Sequence, residues 1–143
     1  MTMCYNINMN ALKVSIIAFL CLLTACSGAL PDTAENTESG WHTISAEEAH
    51  TMMEESDNYV LIDVRTEEEY NDLRIEGAIL IPDYEISERA EKELPDKDAT
   101  ILIYCRSGRR SASAAEILSS LGYTNVYDLG GIIDWPYDTI SGA

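Results

Sequence analysis

The hydrophobic pattern changes character along the chain. Val14 to Leu23 is apolar apart from Ser15, and from Ser27 to Gly40 large apolar residues almost vanish in favour of Ser, Thr, Asn, Glu, Pro and Gly. From Trp41 onward, short apolar runs alternate with amphipathic stretches. That alternation predicts strands interleaved with helices, hence a parallel sheet covered by helices on both faces.

The elements follow in order. His42-Thr43-Ile44 reads as an edge strand. Ser45 with Glu48 three residues on forms a capping box for a helix to about Glu55, with Ala46, Ala49, Met52 and Met53 facing inward. Tyr59 to Val64 is a buried strand, and Asp63 and Arg65 at its end leave the same face and read as structural. Thr66 with Glu69 opens a short helix through Asp72, and Ala78 to Ile81 is a third strand stopped by Pro82. Asp83 to Asp98 carries seven acidic residues and reads as a helical cover with a solvated face. Ala99 to Tyr104 suits the central, fully buried strand. A helix follows from Ser111, with Ala112, Ala115, Leu118 and Leu121 inward and Gly122 at its end. Asn125 to Leu129 is the fifth strand; Gly130-Gly131 then allows a tight turn, with Ile132, Ile133 and Trp135 packed beneath it.

The chemistry is expected between the central strand and the next helix, at Cys105-Arg106-Ser107-Gly108-Arg109-Arg110. Unpaired backbone N–H groups and the positive end of a helix dipole converge there, which makes an anion site. The dipole favours a thiolate by roughly 0.3–1 kcal/mol. Each neighbouring guanidinium is expected to add about 1–3 kcal/mol, taking ~6 Å and an effective dielectric between about 20 and 80. Together these bring Cys105 from a free pKa of ~8.5 into the range of about 3.5–7.5 typical of reactive cysteines. The bland alternative is a buried core cysteine beside a solvated arginine turn, but core cysteines rarely have three cations and a glycine next to them.

Loop length narrows the reaction. A phosphatase-type loop runs from cysteine through five residues to an arginine that grips two phosphate oxygens. Here the sixth position after Cys105 is Ser111, and Arg110 comes one residue early. Phosphatase or arsenate reductase chemistry is therefore disfavoured, and Tyr104 stands where phosphatases place histidine. The smaller cradle suits a sulfur atom carried on Cys105.

Cys105-Arg106-Ser107-Gly108-Arg109-Arg110-Ser111 resembles the active-site loop of single-domain rhodaneses, the thiosulfate sulfurtransferases, whose pattern is Cys-x-x-Gly-x-Arg-Ser. Leu61-Ile62-Asp63-Val64-Arg65, Glu69-Tyr70, Glu76-Gly77-Ala78 and Leu129-Gly130-Gly131 with Trp135 agree in the same order, from about Ile44 to Tyr137. One departure is Leu73-Arg74-Ile75, where the family usually has Gly-His-Ile. The resemblance implies a five-stranded parallel sheet in the order 1-5-4-2-3. It also implies sulfur transfer through a Cys105 persulfide, from a small anionic donor to a thiol or cyanide acceptor. Arg106, Ser107, Gly108, Arg109 and Arg110 would form the substrate-binding loop, their amides cradling the outer sulfur and Arg110 above all attracting the donor. A persulfide carrier or docking module with little turnover is the alternative. An ionised thiol needs no general base, so His42 and His50 receive no role. No metal or cofactor is implied, and the Met52-Met53 pair reads as core.

Composition changes the picture mainly outside this region. The length of 143 residues suits one domain, and a net charge of −16 argues against a nucleic-acid partner. The apolar run at 14–23 is too short for an ordinary membrane span. Leu23-Thr24-Ala25-Cys26 resembles the bacterial lipobox, in which the cysteine becomes the lipidated first residue. The expected organisation is a signal peptide over 1–25, with translation starting at Met1 or Met9, then a lipidated flexible tether over 26–40 and the folded domain over 41–143. The chain would then be held on the non-cytoplasmic side of a bacterial membrane through lipid on Cys26. Processing would leave eight basic and 25 acidic residues, a net charge of −17. It would also leave Cys105 as the lone thiol, expected to be exposed and reactive.

Overall fold

The computed structural model describes residues 40–142. The expected signal peptide over 1–25, Cys26 and the expected tether as far as Ser39 lie outside the described residues. Five parallel strands form one sheet: β1 (Trp41–Thr43), β2 (Val60–Asp63), β3 (Ile79–Leu80), β4 (Ile101–Cys105) and β5 (Val126–Gly131). Their order is β1-β5-β4-β2-β3, the order implied by the family resemblance. The helices are α1 (Ala46–Glu55), α2 (Glu67–Asp72), α3 (Ile86–Glu93) and α4 (Arg109–Ser120), and a 3-10 turn, Ile132–Asp134, follows β5.

Local sequence signals set the helix starts. Ser45 accepts from the Glu48 amide while the Glu48 side chain accepts from the Ser45 amide, and Thr66 and Glu69 repeat the arrangement at α2. Both expected capping boxes are therefore present. α3 buries Ile86 and Ala90, and its outer charges pair among themselves, Arg89 with Glu85 at 2.7 Å and with Glu93 at 2.6 Å.

β4 is buried along its whole length. Its pleat sends Ile101, Ile103 and Cys105 into one core cluster and Leu102 and Tyr104 into another. The first cluster includes residues of α3 and α4, and the second lies under α1, whose Ala49 is buried and whose Ala46, Met52 and Met53 pack against it. This two-sided burial is why β4 reads as a continuous apolar run.

Four expectations are corrected. β1 begins one residue early, at Trp41, although Ile44 still donates its N–H to Asp128 O at 2.9 Å. α4 starts at Arg109 and buries Ser111, Ala114, Ala115 and Leu118, so Ala112 and Leu121 lie off its most buried line. Gly130 and Gly131 belong to β5 and make no turn after it. Leu129 is an extra residue in that strand: Ile103 pairs with Asp128 and Tyr104 with Gly130. The bulge needs φ +86° at Gly130, and Asp128 Oδ1 accepts from the Gly130 amide at 3.0 Å. Finally, Ile132 and Trp135 are buried as expected, but Ile133 is 64% exposed.

Asp63 and Arg65 form a buried pair. The Arg65 Nε lies 2.9 Å from Asp63 Oδ1, Nη2 lies 2.6 Å from Oδ2, and Nη2 also donates to Leu73 O. The pair thus ties the end of β2 to the residue that follows α2.

Candidate active site

Cys105 is the last residue of β4, and three residues separate it from the first turn of α4. Gly108 makes the reversal possible. It occupies the left-handed region at φ +92° as the cap of α4, a conformation that L side chains rarely adopt. In that conformation its N–H points back at Cys105 Sγ, 3.1 Å away. Ser111 closes the loop from within. It is fully buried, and its hydroxyl, with a single proton to give, lies 3.0 Å from Gly108 O and 3.3 Å from Gly130 O as well as beside the sulfur.

The thiol is not exposed. Cys105 is only 1% accessible, the opposite of what its status as a lone reactive thiol suggested. Burial opposes its ionisation, yet its pKa is lowered overall. The Ser111 amide and hydroxyl and the Ser107 and Gly108 amides outweigh the desolvation. Hydrogen bonding to the charged form is therefore what chiefly favours the thiolate, ahead of the guanidinium field expected from sequence. Arg106 and Arg109 are exposed, while Arg110 is committed elsewhere.

Arg110 makes a two-pronged contact with Glu69, Nη1 to Oε2 and Nη2 to Oε1, both at 2.8 Å. That hydrogen bonding and charge pull the Glu69 carboxyl down to about 2 and raise Arg110. Arg110 also feels the attraction of Cys105 and of Asp83. It thereby ties the start of α4 to α2, and both terminal nitrogens of its fork are engaged by Glu69. Arg106 and Arg109 have no ion pair among the described residues.

The end of β5 forms a wall against this loop. A Cβ on Gly131 would stand 2.6 Å from Arg106 O and 2.7 Å from Ser107 Cα, so only glycine permits the approach. Arg106 O accepts from the Ile133 amide at 3.3 Å, which fastens the same loop from the 3-10 turn. Beside it lies a groove of about 280 Å³ lined by Arg65, Glu69, Leu73, Arg106 and Ile133, among others.

The structure thus brings Cys105, Ser107 and Gly108 together with the start of α4. It keeps Arg106 and Arg109 at the exterior of the loop. Two residues were missed by sequence reasoning. Ser111 carried a usable signal: with the helix starting at Arg109, its amide is one of the first-turn donors without a helical partner. Glu69 carried none for this role, because it sits 41 positions from Arg110 and its capping box already accounts for it.

Comparison with known proteins agrees with this architecture. The model of the rhodanese-like domain matches residues 45–136. The chain is 44% identical over 81 residues to the thiosulfate sulfurtransferase PspE of Escherichia coli (strain K12), covering 57% of this chain and 78% of that protein. It is 32% identical over 109 residues to a probable adenylyltransferase/sulfurtransferase, MoeZ, of Mycobacterium tuberculosis, and spans 28% of that longer protein. A solved structure of a rhodanese with anions from E. coli superposes with a TM-score of 0.56 at 43% identity, covering 59% of this chain and 99% of that one. With the five-strand order, the glycine-capped cysteine loop and the matched span all in accord, the chain belongs to the rhodanese-like domain family.

Proposed function

We propose that this protein is a sulfurtransferase that moves a sulfane sulfur from thiosulfate or a similar small anion to a thiophilic acceptor through a persulfide on Cys105. The observation that carries the reading is the Gly108 amide 3.1 Å from Cys105 Sγ, in a loop whose donors favour the thiolate. The Cys105 thiolate attacks the outer sulfur of the donor. A new S–S bond forms, the donor's S–S bond breaks, and sulfite leaves with the bonding electron pair. The charge passes to the terminal sulfur of Cys–S–S⁻, where preorganised amides stabilise it without reorganising. In the second half, cyanide or a thiolate attacks that terminal sulfur and the Cys105 thiolate is released. The attacking species is the thiolate, the form that the loop's hydrogen-bond donors favour. As the sulfur is almost wholly covered, the donor approaches with its outer sulfur leading, and the exposed Arg106 and Arg109 meet its sulfite end.

The direct test is mass spectrometry of the protein after incubation with thiosulfate, followed by thiocyanate release with cyanide. A 32-dalton adduct on Cys105 with turnover is expected, and Cys105→Ser should abolish both. An adduct without turnover identifies a persulfide carrier instead. Wild-type rates in the serine variant would refute the assignment.

We further propose that the chain is a lipoprotein, processed before Cys26 and held by lipid on the non-cytoplasmic face of a bacterial membrane. What supports this is the apolar run at 14–23 closed by Leu23-Thr24-Ala25-Cys26, and the polar stretch that follows.

A further inference from the structure

Glu69 does two things with one carboxylate. Its Oε2 accepts from the Thr66 amide at 3.0 Å and the Thr66 hydroxyl at 3.2 Å, which caps α2. The same oxygen and Oε1 also take both prongs of Arg110, at the start of α4. Capping by itself does not call for a cation. Glu48 caps α1 through the same bonds to Ser45 and has no basic partner among the described residues. The contact with Arg110 is therefore additional to the cap, and it falls on a loop arginine that feels the charge of Cys105.

We infer that Glu69 is a positioning residue that sets the charge the Cys105 loop presents, and so sets how strongly the site prefers doubly charged sulfur donors over less charged ones. Its effect on donors rests on the sulfur-transfer reading. With both nitrogens of its fork engaged, Arg110 braces the loop as half of a neutral pair. Donor capture is left to Arg106 and Arg109. The charged groups facing the pair are Cys105 at the end of β4, Asp83 after β3 and Arg65 after β2. Removing the Glu69 charge shifts this balance by one positive unit, close to the attacking sulfur.

Glu69→Gln isolates the charge, since glutamine serves equally well at the third position of a capping box. The probes are iodoacetamide and iodoacetate, alkylating agents of similar size that differ in charge, each reacted with Cys105 at low ionic strength. In Glu69→Gln the iodoacetate-to-iodoacetamide rate ratio should rise about three- to tenfold, the size of one unit charge acting at ~8 Å through an effective dielectric of about 30–65. The rise should shrink as salt is added. KM for thiosulfate should fall by a similar factor with a smaller change in kcat, and Glu69→Asp should restore the wild-type ratio. Arg110→Gln should move the ratio the opposite way, below wild type. If both variants slow or speed the two reagents equally, Glu69 is only a brace and the inference is overturned. Alkylation needs no sulfur transfer, so a shifted ratio in a protein that transfers none would uphold the charge-setting role and refute the proposed function.

Discussion

Gly131→Ala provides a stringent test of the proposed loop geometry. Gly131 has φ −109° and ψ 136°, an extended conformation open to any residue. By backbone preference alone, alanine would stabilise it by about 0.5–1 kcal/mol. The obstacle is contact. The new methyl would lie 2.6 Å from Arg106 O, 2.7 Å from Ser107 Cα and 3.1 Å from Arg106 C, all backbone atoms with no rotamer to yield. Ordinary contact begins near 3.4 Å, so the Arg106 oxygen must retreat by about 0.8 Å. That oxygen also holds the Ile133 amide, and the next amide along, Ser107, is one of the thiolate's donors. Overpacking of this kind costs about 1–3 kcal/mol, partly offset by the backbone gain. A displacement near 1 Å costs about 10²-fold in rate. We expect thiocyanate formation to fall about a hundredfold while urea unfolding reports a loss of at most about 2 kcal/mol. Gly130→Ala is the matched control. Its φ of +86° penalises alanine, but a Cβ there meets no heavy atom within 4 Å. It should cost about 1–2 kcal/mol of stability and leave the rate within about threefold. Wild-type turnover in Gly131→Ala, or an equal loss in Gly130→Ala, would refute the claim that β5 shapes the cysteine loop.

Because hydrogen bonding lowers the Cys105 pKa, the rate of persulfide formation should rise with pH and reach half its plateau below the pH at which a free cysteine thiol titrates, as stopped-flow measurement of sulfite release would show. Ser111→Ala removes the hydroxyl that helps this lowering, so its half-plateau should move to higher pH; an unmoved profile would count against Ser111 as a donor. Cys26→Ala should leave the protein unprocessed or release it from the membrane fraction, and unchanged retention would count against the lipid anchor.

Much of this molecule is written in neighbouring residues. Ser45 with Glu48 and Thr66 with Glu69 start their helices through bonds three positions apart, so no tertiary contact is needed to read them. The apolar run of β4 announces a strand covered on both faces, and the Cys105 loop is contiguous, so its glycine and the helix after it were visible together. The order of the strands came only with the family resemblance, since periodicity says that a strand exists and not which strand it joins.

What folding alone decided are relations between distant segments. The face that α4 buries runs through Ala114 and not Ala112, because the helix begins at Arg109 and its phase is set by the sheet beneath it. β5 continues through Gly131 because a bulge at Leu129 lets it pair to the end of β4. Arg110 was expected above all to attract the donor, and folding sets its fork on Glu69, 41 residues away. Cys105 was expected to be exposed, yet strand parity sends it into the core on the α4 side, where amides replace water around the sulfur. Short-range bonds and side-chain alternation are encoded in adjacent positions, whereas helix phase, strand register and long-range ion pairs take their values only when the packed chain brings remote residues within reach.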